Sequence, residues 1–138
     1  LQRRLLAQLF HRGRQLDHGR GTAEILPEIA DAVAGKASIV VDGGIMRGTD
    51  VIKALALGAD AVCIGKLQGL ALAAGGKDGV VRALELLEGE IMTSMALTGL
   101  HNFSEIGPEF VEEAETVVNP SVYSQYTHID LPPLEYDR

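Results

Sequence analysis

Apolar positions along this chain switch between short unbroken runs and runs spaced by three or four. Short apolar runs bounded by turn residues read as buried strands; the wider spacing reads as one face of a helix. Ile25, Ile29 and Val33 define such a face over roughly 23–34. Thr22 is its expected cap, Pro27 falls in its first turn, and Gly35 is its expected stop. Ser38, Ile39, Val40 and Val41 then read as a strand, 38–41, that ends at Asp42-Gly43-Gly44. A helix over 49–57 follows, capped by Thr49 and stopped by Gly58. A second strand, 60–64, ends at Gly65-Lys66. Residues 66–76 are rich in glycine and alanine and read as a short helical turn. Val80, Leu84, Leu87, Ile91 and Met95 predict the longest helix, 78–98, with Glu85, Glu88 and Glu90 off the stripe and facing water.

The two ends are less regular. Leu1, Leu5 and Leu9 recur every fourth residue and predict a short helix over 1–10, and the glycine-rich 11–22 predicts a loop. A further short helix is expected over roughly 104–115, starting at Ser104 or Pro108. Residues 116–138, with Pro120, Pro132 and Pro133, show little periodicity and read as an extended tail beyond a domain of residues 1–115. Helices alternating with strands imply parallel strands joined by right-handed crossovers. The fold class is therefore α/β. With only two convincing strands, the sheet is too small to stand alone, so the chain reads as part of an α/β barrel or an open α/β sheet.

Composition narrows the chemistry. The 138 residues suffice for one modest domain, and aromatics make up 4% with no Trp, so the core is built from Leu, Ile, Val and Ala. A net charge of −7 argues against nucleic acid as a partner. Arg3, Arg4, Arg12, Arg14 and Arg20 nevertheless crowd the start, opposed there by Asp17 alone. Cys63 is the sole cysteine and cannot form an internal disulfide. It reads as core packing, and a reducing, cytoplasmic setting is expected. No apolar run nears the ~20 residues of a membrane span, and no signal-peptide pattern appears. The first residue is Leu rather than Met, which leads to the expectation of a fragment or a processed product.

Two constellations carry candidate chemistry. Glycines at the carboxyl end of a strand let backbone N–H groups approach a ligand, and phosphate is the ligand such donors favour most. Gly43 and Gly44 offer this, Arg47 adds charge, and Asp42 can accept from ligand hydroxyls. Adjacent parallel strands end side by side, so Gly65 and Lys66 are expected near that turn; on local pattern alone, a plain tight turn is an equal alternative. The second constellation is His11 with Arg14. An imidazole takes a proton at neutral pH, and a guanidinium holds a carboxylate by two points. Together they suit a small acid that loses a proton beside its carboxylate, although a solvated loop is the commoner meaning of such a pair.

These segments resemble the FMN-dependent 2-hydroxy-acid oxidases and dehydrogenases, the family of glycolate oxidase and flavin-type lactate dehydrogenase. The matching stretches are HRGRQLD (11–17), LPEIADAV (26–33), VDGGIMRGTDVIKALALGADAVCIGK (41–66), LAAGGKDGVVRALELLEGEI (72–91) and MALTG (95–99). The resemblance implies the carboxyl-terminal part of a (β/α)8 TIM barrel, about strands seven and eight with flanking helices, and FMN as cofactor. It implies a flavoprotein oxidoreductase that oxidises a small 2-hydroxy acid to a 2-oxo acid. His11 would take the substrate proton and Arg14 would bind the substrate carboxylate. Asp42, Gly43, Gly44, Arg47, Gly65 and Lys66 would lie along the FMN ribityl chain and phosphate.

This sequence departs from the family pattern in three residues and in two larger features. Arg12 stands where the family loop has glycine, Met46 where it often has a first arginine, and Lys66 where it has arginine. No apolar strand is legible before His11, and the amino-terminal half of the barrel is missing. The expected protein is a truncated family member, completed by a homo-oligomer or a partner chain. The alternative is a non-catalytic fragment or assembly subunit. Another phosphate-binding barrel enzyme is a third reading, which His11 and Arg14 oppose.

Overall fold

The computed structural model describes residues 5–9 and 20–114. Its elements run β1 (Leu5–Leu9), α1 (Thr22–Val33), β2 (Ala37–Asp42), α2 (Gly48–Ala56), β3 (Ala61–Cys63) and α3 (Gly65–Thr98). Two short 3₁₀ turns follow, Phe103–Glu105 and Pro108–Phe110. The strands form one parallel sheet in the order β1-β2-β3. The α/β alternation read from the sequence is therefore present, with three strands rather than two.

The extra strand corrects the helix expected over 1–10. Leu5–Leu9 pairs with β2, from Leu5 opposite Ala37 to Leu9 opposite Val41. The reason lies in the spacing itself: positions 1, 5 and 9 fit a helical face, but they are also even-numbered steps and fit a strand equally. Short apolar runs cannot be separated by periodicity alone. The free edge of β2 offers ladder partners, and that tertiary pairing outweighs local helix preference. A strand thus does precede His11. The tail 116–138 lies outside the described residues.

Helix α1 starts one residue earlier than predicted. Gly21 occupies the cap position, and the Glu24 carboxylate accepts from the Gly21 N–H at 3.2 Å. Thr22 is the first helical residue and is buried. Pro27 lies in the second turn rather than the first, so the Ala23 carbonyl loses its helical donor. The helix reverses at Ala34, which itself takes the left-handed conformation (φ 47°) ahead of Gly35. Arg47, not Thr49, is the cap residue of α2. Gly58 closes α2 as expected, with φ 103°. A Cβ there would come within 2.7 Å of the Ala30 Cβ, so glycine also lets α1 and α2 approach.

The α3 stretch is two helical segments joined at Gly75 (φ −151°) and Gly76 (φ 59°). A Cβ at Gly79 would collide with the Ala71 carbonyl, so the second segment folds closely against the first. Of the predicted stripe, Leu87 and Met95 are buried, whereas Leu84 is 49% exposed. The α-helix expected over 104–115 is absent. Asn102 accepts from the Ser104 N–H and caps a single 3₁₀ turn, which Pro108 follows with another.

The core lies between the sheet and the first two helices. Leu26, Ile39, Val41, Ile45, Ala54 and Ala59 are buried together, with Val51, Val62 and Ile64 packed against them. Side chains alternate along a strand. Ile39, Val41 and Val62 therefore face the helices, while Ser38, Val40, Asp42, Ala61 and Cys63 belong to the opposite sheet face. No helix among the described residues is long and apolar enough to cross a membrane.

Candidate functional site

Strand register sets the site. Asp42 closes β2 opposite Cys63, which closes β3. The chain then leaves β2 through Gly43 and Gly44, and leaves β3 through Ile64 into Gly65 and Lys66. Gly43 (φ 106°) and Gly44 (φ 83°) both sit in the left-handed region, where a side chain would strain the backbone. Among the described residues, no atom beyond the chain neighbours and the helix's own backbone lies within 4 Å of where a Cβ on Gly44 or Gly65 would stand. Asp42, Gly43, Gly44, Gly65 and Lys66 are thus grouped at the carboxyl ends of two neighbouring strands.

The two helices that start here differ in what their first N–H groups do. At α2 the N–H groups of Met46, Arg47 and Gly48, at and just before the first turn, are taken by the protein's own carboxylates. The Asp50 Oδ2 accepts from the Met46 N–H at 3.0 Å and the Arg47 N–H at 2.9 Å. The Glu90 Oε2 accepts from the Gly48 N–H at 2.7 Å. At α3 no side chain among the described residues caps the start, and no acid lies in the first turn. The first intrahelical bond runs from the Gln68 N–H to the Ile64 carbonyl at 2.9 Å. The N–H groups of Gly65, Lys66 and Leu67 precede it and lack intrahelical partners. Such a helix start, with Lys66 in its first turn, has the features that favour an anion: amides without intrahelical partners and the positive end of the helix dipole. The helix expected after the second strand begins at Gly65 itself.

Arg47 is placed at the far end of the glycine turn. Its Nε donates to the Glu90 Oε1 at 2.8 Å, in an ion pair whose Arg side chain is 69% exposed. Sequence reading assigned Glu90 to a solvated face and missed this contact. Its only signal was an acid off the apolar stripe of α3, which Glu85 and Glu88 share. His11 and Arg14 lie outside the described residues. No cluster of metal-ligating side chains occurs among the described residues.

A separate groove of about 980 Å³ lies between α1, α2, the end of α3 and the 108–113 segment. Arg20, Ile52, Lys53, Leu57, Leu100 and Phe110 line it, and none of the turn residues does. At its rim Arg20 pairs with Glu24 and Glu28, each at 2.7 Å. The Arg20 hydrogen bond holds the Glu24 carboxyl below its ordinary range.

Parallel strands alternating with helices, with glycine turns at the carboxyl ends of two of them, define the chain as an α/β protein. Residues 10–113 match the sequence pattern of the FMN-dependent dehydrogenases, and the chain belongs to that family. It is 52% identical over 101 residues to a 2-hydroxyacid oxidase of Dictyostelium discoideum, covering 73% of this chain and 26% of that protein. A mandelate oxidase variant with a monooxide FMN adduct superposes with a TM-score of 0.64 at 49% identity, over 67% of this chain and 29% of that one. A flavocytochrome b2 variant with pyruvate bound superposes with a TM-score of 0.74 at 35% identity, over 97% of this chain and 36% of that one. The chain spans 25–29% of the length of the curated relatives it matches. FMN is the cofactor of this family, and its members are oxidoreductases acting on hydroxy acids.

Proposed function

We propose that this chain carries the phosphate-binding and proton-abstracting part of an FMN-dependent oxidase or dehydrogenase of small 2-hydroxy acids. The observation that carries this reading is the register of β2 and β3, which brings the Gly43-Gly44 turn beside the uncapped start of α3. In this reading the FMN phosphate lies against the N–H groups of Gly65, Lys66 and Leu67 and the Lys66 ammonium. Asp42 accepts from a ribityl hydroxyl, and Arg47 contributes charge through the guanidinium nitrogens that Glu90 leaves free. FMN, when bound, supplies the acceptor for the two electrons leaving the substrate α-carbon. His11 takes the proton as the alcohol becomes a carbonyl, and Arg14 anchors the substrate carboxylate by two hydrogen bonds. The three strands correspond in order to the sixth, seventh and eighth of a (β/α)8 barrel, so the His11 loop follows β1 as the Asp42 turn follows β2. The sheet face holding Val40, Asp42 and Cys63 would look into the barrel. Buried parallel sheets are covered on both faces, so further strands, from a longer chain or from a partner, complete the enclosure.

The test starts with flavin itself. Dialysed protein with added FMN should keep a bound flavin spectrum, and lactate, glycolate or mandelate should bleach it anaerobically. His11→Ala should abolish the bleaching while flavin stays bound. Absence of bound flavin removes the reading for this chain; unchanged bleaching in His11→Ala removes the assigned base. The chain's span of 25–29% of its relatives' length favours a second reading, an assembly subunit that is inert until joined by the rest of a barrel. Flavin binding only after such a partner is added distinguishes it.

A further inference from the structure

We infer that Glu90 is a positioning residue for the FMN phosphate, acting through Arg47; this rests on the flavin reading above. Glu90 sits in the second segment of α3, yet its carboxylate reaches two consecutive residues at the start of α2. Oε1 accepts from the Arg47 Nε at 2.8 Å, and Oε2 accepts from the Gly48 N–H at 2.7 Å. The approach is close at the backbone as well. A Cβ on Gly48 would stand 2.6 Å from the Glu90 Cβ and the Ile91 N, so only glycine brings the α2 start this near.

The turn from Gly43 to Arg47 has few other restraints. Gly43 and Gly44 carry no side chains. Ile45 is anchored in the core, and Asp50 ties Met46 and Arg47 from within their own helix. Glu90 is the one side chain from another element that hydrogen-bonds this turn among the described residues. It also decides how Arg47 presents itself. A guanidinium is rigid and planar. With Nε held, and the carboxylate itself held by the Gly48 N–H, the guanidinium loses much of its rotamer freedom. Nη1 and Nη2 then remain as a preset fork for an anion. Without Glu90, Arg47 becomes a free surface cation with many rotamers, and ordering it falls on the ligand.

The experiment compares FMN with riboflavin, which has the same ring and ribityl chain but no phosphate. Both are titrated into the full chain and followed by flavin fluorescence. The wild-type protein should bind FMN more tightly than riboflavin. In Glu90→Gln, which keeps an oxygen to accept from Gly48, FMN affinity should fall about tenfold, the scale of one charge-assisted contact. Riboflavin affinity should not change. Arg47→Lys keeps the charge but loses the fork, leaves the Gly48–Glu90 bond in place, and should show the same selective loss. The double variant should be no weaker than either single one, because both changes break one unit. An unchanged FMN-to-riboflavin ratio in both variants overturns the inference. So does an equal loss of both ligands, which marks a purely structural role, or an additive loss in the double variant. A wild-type chain that does not prefer FMN overturns the phosphate-grip reading itself, and the role of Glu90 with it.

Discussion

Asp60 and Ile39 hold each other by two hydrogen bonds. The Ile39 N–H donates to the Asp60 Oδ2 at 2.7 Å, and the Asp60 N–H donates to the Ile39 carbonyl at 2.8 Å. The side chain thus supplies the ladder acceptor at the point where β3 has not yet begun. Asp60→Ala leaves the Ile39 N–H, in a strand of the core, without that acceptor. It should lower unfolding free energy by about 1–3 kcal/mol. Asp60→Asn, which keeps an acceptor oxygen, should lose less. Urea titrations of the two variants check the order.

Two glycines near the site should fail for different reasons when replaced by alanine. At Gly48 the added Cβ meets backbone atoms of α3 at 2.6 Å, and something must shift. Overpacking of this kind costs about 1–3 kcal/mol. At Gly44 nothing among the described residues lies within 4 Å, so the penalty is the left-handed φ of 83°, about 1–2 kcal/mol. Gly48→Ala should also pull Glu90 from the turn, while Gly44→Ala should leave the α2–α3 contact intact. Denaturation midpoints, combined with a Glu90→Gln background, separate the two: only the Gly48 effect should be reduced there.

Lys66 is the second residue of α3, in the turn whose first N–H groups lack intrahelical partners. Lys66→Ala should weaken FMN by about tenfold, the scale of one charge-assisted contact, and riboflavin hardly at all. Lys66→Arg, the family's own residue by resemblance, should restore the preference. Flavin fluorescence titration at two salt concentrations measures it, since a charge contact weakens as salt rises.

Glu24 gives a pH dependence of known sign. Its carboxyl is held below the ordinary value of 4.5, chiefly by the Arg20 hydrogen bond. A carboxyl depressed in the folded state stabilises fully above its unfolded pKa and ceases to do so as pH falls through the folded value. Both side chains are exposed, so the effect is small and salt-sensitive. Wild type should lose its stability advantage over Glu24→Gln below about pH 4.5, near the unfolded carboxylate value. Thermal melts of the pair at pH 6 and pH 3.5 check this.

The residues explain how far the sequence could be read. β2, α2 and β3 were legible because Ile39 to Val41 and Ala61 to Ile64 are apolar runs ending in glycine turns. Gly58 stops α2 where its φ requires glycine. β1 was not legible, because Leu1, Leu5 and Leu9 satisfy both periods and only the edge of β2 selects one. The helix over 104–115 failed because Asn102, Ser104 and Pro108 favour local turns, which no packing contact overrode. The nearness of the glycine turn to Gly65 and Lys66 was legible because strand adjacency follows from parallel crossovers. Glu90 was not, because its partners lie 42 and 43 residues away and no local pattern encodes that approach. The unlike fates of the two helix starts were also hidden, since Asp50 and Glu90 become caps only once the fold brings them in.

The break at Gly75 and Gly76 divides labour along α3. Its first segment offers bare amides at one end, and its second segment sends a carboxylate back to the neighbouring turn. In an unbroken helix, rotating one of these would rotate the other by the same angle. With two glycines between them, each can be tuned by substitution without disturbing its counterpart. The two ends of a single stretch of chain can thereby be set independently of each other.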